Sequence, residues 1–332
     1  MNSHAENLVI FEEAMKKIYG PYTQDPVLWQ PPEDPERGHR GRYLWTDAFG
    51  VVDFITLSRE NEGRQAREFY LGMAKRLVET VHSVLGRTRD GRSRLPGATN
   101  EDPLKGGLRV GMPDNFDPDI DSQYHHCLTL WMFALNRLSL ATVVRHGQER
   151  VAWKISMDMQ HVLIVSNDWR LTDVIGYFIY KLLQDTMKDF DERGIPNNSP
   201  SLDAEIQQYY RIMNSHPVEL PEGPLDLGMS LWIGHFDRSV AWSRNLAESG
   251  IRVVCDNFLR RKLSSTWGRS EFRDVFACLG IKCYLNDPKK PLQMGLEAVL
   301  DMWANEGPKY LTMFAAALIP GAFRKEFFDS SE

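Results

Sequence analysis

The chain has 332 residues, of which 42% are hydrophobic and 25% charged, so it has ordinary globular composition and material for a large core. Its net charge of −6 and its lack of long Lys/Arg runs argue against nucleic acid as a partner. No window approaches the roughly 18 consecutive apolar residues of a membrane span, and the opening MNSHAENLVIFEEAMKKIYG mixes acids among its apolar residues, unlike a secretion signal.

Apolar residues at helical spacing recur almost from end to end. The spacing predicts helices over 5–19, 44–60, 64–85, 121–144, 148–165, 171–190 and 202–214. Further helices are predicted over 225–234, 237–248, 251–264, 271–284, 292–305 and 308–318. The clearest is 64–85, where Phe69, Met73, Leu77, Val81, Val84 and Leu85 form one stripe. No stretch alternates with period two over a useful length, so the expectation is an all-α protein of about a dozen helices joined mostly by short links, as in successive antiparallel hairpins.

Two links are long. Residues 20–43 carry Pro21, Pro26, Pro31, Pro32 and Pro35, and residues 87–120 carry many Gly, Pro, Arg and Asp. Loops of that length in a compact domain are usually functional or disordered. No composition break or Ser/Gly linker separates parts of the chain, so 1–332 is expected to form one domain. Cys127, Cys255, Cys278 and Cys283 fall in predicted helices at spacings unlike a zinc site, which suggests buried thiols, a reducing compartment and a cytoplasmic protein. A two-fold dimer is the assembly that base rates favour, although no feature points to one.

Several residues could carry chemistry. Asp47 stands in the first turn of a predicted helix beside Trp45, where it could be one of two catalytic carboxylates, with Asp121, Asp168 or Asp173 as the second. It could equally stabilise the helix N-terminus. Tyr124 and His125 open the helix that carries Trp131 two turns on. His125 and His126 diverge by about 100° on a helix, so they cannot both line one site. Arg109, after Gly106 and Gly107, could bind a substrate carboxylate or could tie its loop to Asp117, Asp119 or Asp121. His235 and Asp237 read as a hairpin turn. No HExxH, no Walker lysine, no dinucleotide glycine pattern and no nucleophile elbow occurs, so no metal and no cofactor are expected.

Three segments resemble a known family: RYLWTDAFGVVDFITL at 42–57, GRTRDGRSRLPGATNEDPLKGGLRVG at 86–111 and DSQYHHCLTLWMFALNRLS at 121–139. They are similar to the six-hairpin glycosidase-like proteins. The resemblance implies an (α/α)6 barrel, in which six inner and six outer helices surround a cavity open at one end. Relatives of this kind carry a Gln-His-Asp-Pro-Leu-Asp-Gly run in mid-chain. The corresponding stretch here reads Ser166, Asn167, Asp168, Trp169, Arg170, Leu171, Thr172, Asp173, so that Asn167 replaces the His and Asp173 stands in for the second acid.

The expectation drawn from these features is a cofactor-independent isomerase or cyclase, of the Diels–Alderase kind found in natural-product biosynthesis, acting on an apolar small molecule. Such a reaction needs shape, exclusion of water and one or two donors on a carbonyl. Asp47, Tyr124, His125 and Asp168 are its expected catalytic groups, with Trp45, Arg109, Asp121, Trp131, Asn167, Trp169 and Asp173 around the substrate. The alternatives are a glycoside hydrolase or sugar epimerase using paired carboxylates, and a barrel that binds a small molecule without turnover.

Overall fold

A computed structural model describes residues 3–22, 25–61, 63–115, 121–146, 170–194, 201–215, 224–241, 243–245, 247–253, 272–285, 290–303 and 310–329. Among them every regular element is helical, and the only ladder-type pairs are two isolated bridges, His39 with Arg42 and Arg87 with Arg94. The helices are α1 (His4–Tyr19), α2 (Leu44–Glu60), α3 (Arg64–Leu85), α4 (His125–His146), α5 (Arg170–Glu192), α6 (Asp203–Ser215), α7 (Pro224–Gly234), α8 (Phe272–Tyr284), α9 (Lys290–Trp303) and α10 (Leu311–Leu318). Two 3-10 turns, Gly321–Phe323 and Lys325–Phe328, follow. No described helix is long and apolar enough to cross a membrane.

The helices fall into two kinds. In α2 every residue from Leu44 to Ser58 is buried, and in α10 every residue is. The same holds for Cys127–Ser139 of α4 and Leu227–Gly234 of α7, and in α8 all of Asp274–Cys283 is buried except the partly exposed Lys282. A helix buried on all sides must be packed on all sides. By contrast α3 buries only Tyr70, Leu71, Met73, Ala74, Leu77, Val78, Val81 and Leu85, which is one stripe. The α1, α6 and α9 helices are likewise one-sided, and α5 is buried throughout 175–180 and one-sided beyond.

The chain forms two compact units. One comprises Lys16–Asn167 with Leu183–Ser201, and the other Met1–Met15, Asp168–Leu182 and Leu202–Glu332, so α1 and α5 each contribute to both. In the first unit, α2 packs against α3 and α4. Its other flank meets an aromatic cluster in which Phe54 lies 5.3 Å from Tyr19, 5.9 Å from Trp29 and 6.0 Å from Tyr22, ring centre to ring centre. Gly50 is required there, because a Cβ would stand 2.7 Å from the Tyr19 ring. In the second unit α7 and α8 pack backbone to backbone through Gly228 and Gly280, and α8 also packs on α9 and α10.

The helix expected from residue 121 starts at His125 instead. Residues 121–124 are drawn into the preceding loop: Val110 N–H donates to Ser122 O (3.0 Å) and Asp121 accepts the amides of Gly111 and Met112. The helix expected over 237–248 begins only at 241, after a turn, and its helical residues continue to 253. The expected helices at 148–165 and over most of 251–264 lie outside the described residues.

Candidate functional site

One end of the first unit gathers most of the sequence-predicted groups. Val110 holds that end together. Its carbonyl accepts Leu44 N–H at 2.9 Å and its own N–H reaches Ser122 O, so α2 and α4 start side by side. The C-terminal end of α3 joins them, since Arg109 N–H donates to Leu85 O at 3.0 Å. The starts of the two buried helices and the end of α3 are therefore tied to one strip of loop, residues 109–110.

Trp45, in the first turn of α2, is buried and stands 5.7 Å from the His126 ring and 5.8 Å from the Phe49 ring. Tyr124 lies on the other side of His126, at 5.8 Å. His126, set aside by the argument that neighbouring helix residues diverge, is thus the one that joins Trp45 to Tyr124. His126 is exposed at the surface, yet the protein packed around it lowers its affinity for a proton. Burial depresses His125 further, to a pKa of about 4, with His126 contributing. The imidazole of His125 is neutral at pH 7.

Trp131 is fully buried and donates its indole N–H to Nε2 of His82 on α3 at 3.1 Å. Burial pushes His82 down to about 4, which keeps Nε2 available as the acceptor. Nothing in the sequence marks His82. Its position two residues after Thr80 on an otherwise regular amphipathic helix gives no local signal, and only the contact across helices reveals it.

Of the four candidate carboxylates, the two whose side chains are described, Asp47 and Asp121, are already occupied. Asp47, fully buried, accepts the Tyr19 hydroxyl at 2.9 Å, the Tyr43 amide at 3.3 Å and Arg42 Nη1 at 3.4 Å. Arg42 is itself fully buried and is fixed by Pro32 O at 2.8 Å. Tyr19 stays protonated, because burial and then the Asp47 charge raise its pKa well above the usual value. Asp121 accepts Gly111 N–H at 2.8 Å, Met112 N–H at 3.1 Å and Arg89 Nη1 at 2.6 Å, together with Arg109 Nη1. The remaining Arg109 donors go to Arg87 O (2.6 Å) and Val84 O (3.1 Å). Of the two roles open to Arg109, tying the loop is the one these bonds perform. Arg89 also holds Asp114 at 2.8 Å, and a hydrogen bond from His39, then the charges of His39 and Arg89, lower the Asp114 pKa.

Asn167, Asp168 and Trp169 lie outside the described residues, and Asp173 falls within α5 where its side chain is likewise not described. Cys127, Cys278 and Cys283 are buried and unbridged, and burial raises Cys127 and Cys278 to about 12, so both are thiols rather than nucleophilic thiolates. Among the described residues no three His, Cys, Asp or Glu side chains gather as metal ligands. His235 accepts Lys325 N–H at 2.9 Å and pins the C-terminal 3-10 turns, a structural task in the second unit.

A second residue missed by the sequence argument is Asp53, fully buried in the middle of α2 with both carboxyl oxygens lacking a hydrogen-bond partner among the described residues. The available signal was an acid inside the apolar run from Phe49 to Leu57.

No protein-family model matches the chain, and no curated protein and no solved structure matches it either. The likeness to six-hairpin glycosidase-like proteins rests on the three segments quoted above.

Proposed function

We propose that the chain is a cofactor-independent isomerase or cyclase for an apolar small molecule, built on an (α/α)6 barrel. The alternation of helix types in chain order supports the barrel: α1, α3, α6 and α9 are one-sided, and each is followed by, or next precedes, a helix buried all round. That is the pattern required of an outer ring wrapped on an inner one. The tied starts of α2 and α4 fit two neighbouring inner helices.

The observation that carries the chemistry is the state of Asp47 and Asp121. Acid/base work on a glycosidic bond needs two carboxyl groups free to face substrate and water. Here both have their oxygens taken by guanidinium, amide or phenol donors. At the start of α4, Tyr124 and neutral His125, with the Trp45 and His126 rings, could orient an apolar substrate and donate to a carbonyl without gaining or losing net charge. The Asn167 in place of the family's His agrees with a site that has given up hydrolysis.

The test is a mass balance. Purified protein is incubated with the organic-soluble extract of its source cells, and the extract is compared by mass spectrometry before and after. The expected outcome is one compound replaced by another of identical mass and different retention. One product heavier by a water would establish hydration, and two fragments whose masses sum to the substrate plus one water would establish hydrolysis. A compound retained by the protein but left unchanged would establish binding without turnover.

A further inference from the structure

We propose that Asp53 is the binding residue for a neutral hydrogen-bond acceptor, of the carbonyl or ether class, on a small molecule held inside the Lys16–Asn167 unit. The inference deepens the function proposed above and rests on its premise that a small molecule enters this interior.

Asp53 lies on one side of α2 with Thr46, Phe49 and Thr56, each three or four residues from the next. Phe54, one residue and about 100° on, packs on Tyr19 and Trp29. Asp47 and Gly50 also meet Tyr19, so the aromatic cluster borders the Asp53 arc on the Gly50 side. Trp45, four residues before Phe49 and 5.8 Å from its ring, borders the arc on the opposite side. Three of the arc's four side chains, Thr46, Asp53 and Thr56, are polar and buried. Thr46 and Thr56 return their hydroxyl protons to their own helix, at Tyr43 O (3.1 Å) and Val52 O (3.0 Å). Asp53 has no such outlet: its oxygens are buried with no donor or acceptor within reach among the described residues.

A buried carboxyl without a partner is costly, and sites that keep one use it. Its chemistry identifies what it would hold. Burial is the one influence on its proton affinity and raises it well above that of an ordinary carboxyl, with no charged group contributing. With no donor beside either oxygen to hold a negative charge, burial favours the protonated form, which donates on one oxygen and accepts on the other. An anionic ligand would find no cation beside it, and no metal-ligand set gathers around it among the described residues. Its complement is a neutral acceptor, as in enzymes that keep a carboxylic acid protonated to donate to a ketone oxygen.

Matched probes test this directly. Methyl ketones of six to twelve carbons are compared with the 2-methyl-1-alkenes of the same length, which replace the carbonyl oxygen by a methylene group. Binding is read by thermal shift, and the carboxylic C=O stretch is followed by infrared difference spectroscopy against Asp53→Asn. Wild type is expected to bind a ketone of one length about five- to tenfold more tightly than its alkene, with the acid band moving to lower frequency. Asp53→Leu should bind both alike, and Asp53→Asn, which keeps a donor, should restore part of the preference. Equal binding of ketone and alkene by wild type, no binding of either, or a carboxylate band at neutral pH each overturns the inference. Mass-conserving turnover that Asp53→Leu leaves unchanged would overturn it while leaving the proposed function standing.

Discussion

Asp53 and the histidines of the first unit link folding to pH in opposite directions. The folded pKa of Asp53 is raised, so the unfolded chain releases this proton first. Stability is fully present below the unfolded value near 4 and is lost as pH rises toward the folded one, at about 1.4 kcal/mol per pH unit. Asp53→Asn removes that loss. In urea melts at a series of pH values, the variant should gain on wild type steadily above pH ~4; parallel curves would show that Asp53 is ionised in the fold. His82 and His125 are depressed to about 4 from an unfolded value near 6.5. Their contribution is complete above pH ~6.5 and disappears as pH falls through the folded value, so both wild type and the Asn variant should lose stability from pH ~6.5 to ~4. His82→Phe should flatten part of that acid limb, and an unchanged limb would place its cause elsewhere. At this scale sequence patterning was least informative. Asp47 and Arg109 were recognised as residues with a task, but a carboxylate that accepts Tyr19 and Arg42 looks, in sequence, the same as one that faces a substrate.

The elements were far more legible, because periodicity reports burial and burial governs where helices lie. The bounds of α2 and α3 follow from the apolar pattern without change. The shift of α4 to His125 has a local cause that periodicity does not carry: Asp121 binds two guanidinium groups and two loop amides, which holds residues 121–124 in the loop. Asp121→Asn leaves Arg109 buried with a weakened partner and should cost about 3 kcal/mol. Limited trypsin digestion should then cut within 87–112 at a rate far above wild type; an unchanged digestion rate would contradict the role given to this clasp. The α7 and α8 pair offers a second test. A Cβ on Gly280 would run into the Gly228 backbone, whereas on Gly250 it would find its nearest atom at 3.6 Å. Gly280→Ala should destabilise by about 2 kcal/mol or more despite the gain in helix propensity, while Gly250→Ala should be neutral or stabilise by up to about 1 kcal/mol. Equal effects in chemical denaturation would mean that the two helices do not meet at these glycines.

For the whole molecule, composition and period alone made the chain all-helical, and the described residues are so. How helices arrange in space is a matter of long-range packing, which no local pattern encodes; the difference between one-sided and fully buried helices is the nearest trace it leaves in sequence. The chemistry is more distant still, since it depends on whether acids converge and on what already holds them. The central claim is that this protein rearranges its substrate without adding water, and labelled water tests that most directly. The extract incubation, run in water enriched in oxygen-18, should yield a product of unchanged mass with no label incorporated. Label in a single product heavier by one water, or in one of two fragments whose masses sum to the substrate plus one labelled water, would mean that a hydrating or hydrolytic pair is at work, and the isomerase reading would have to be abandoned.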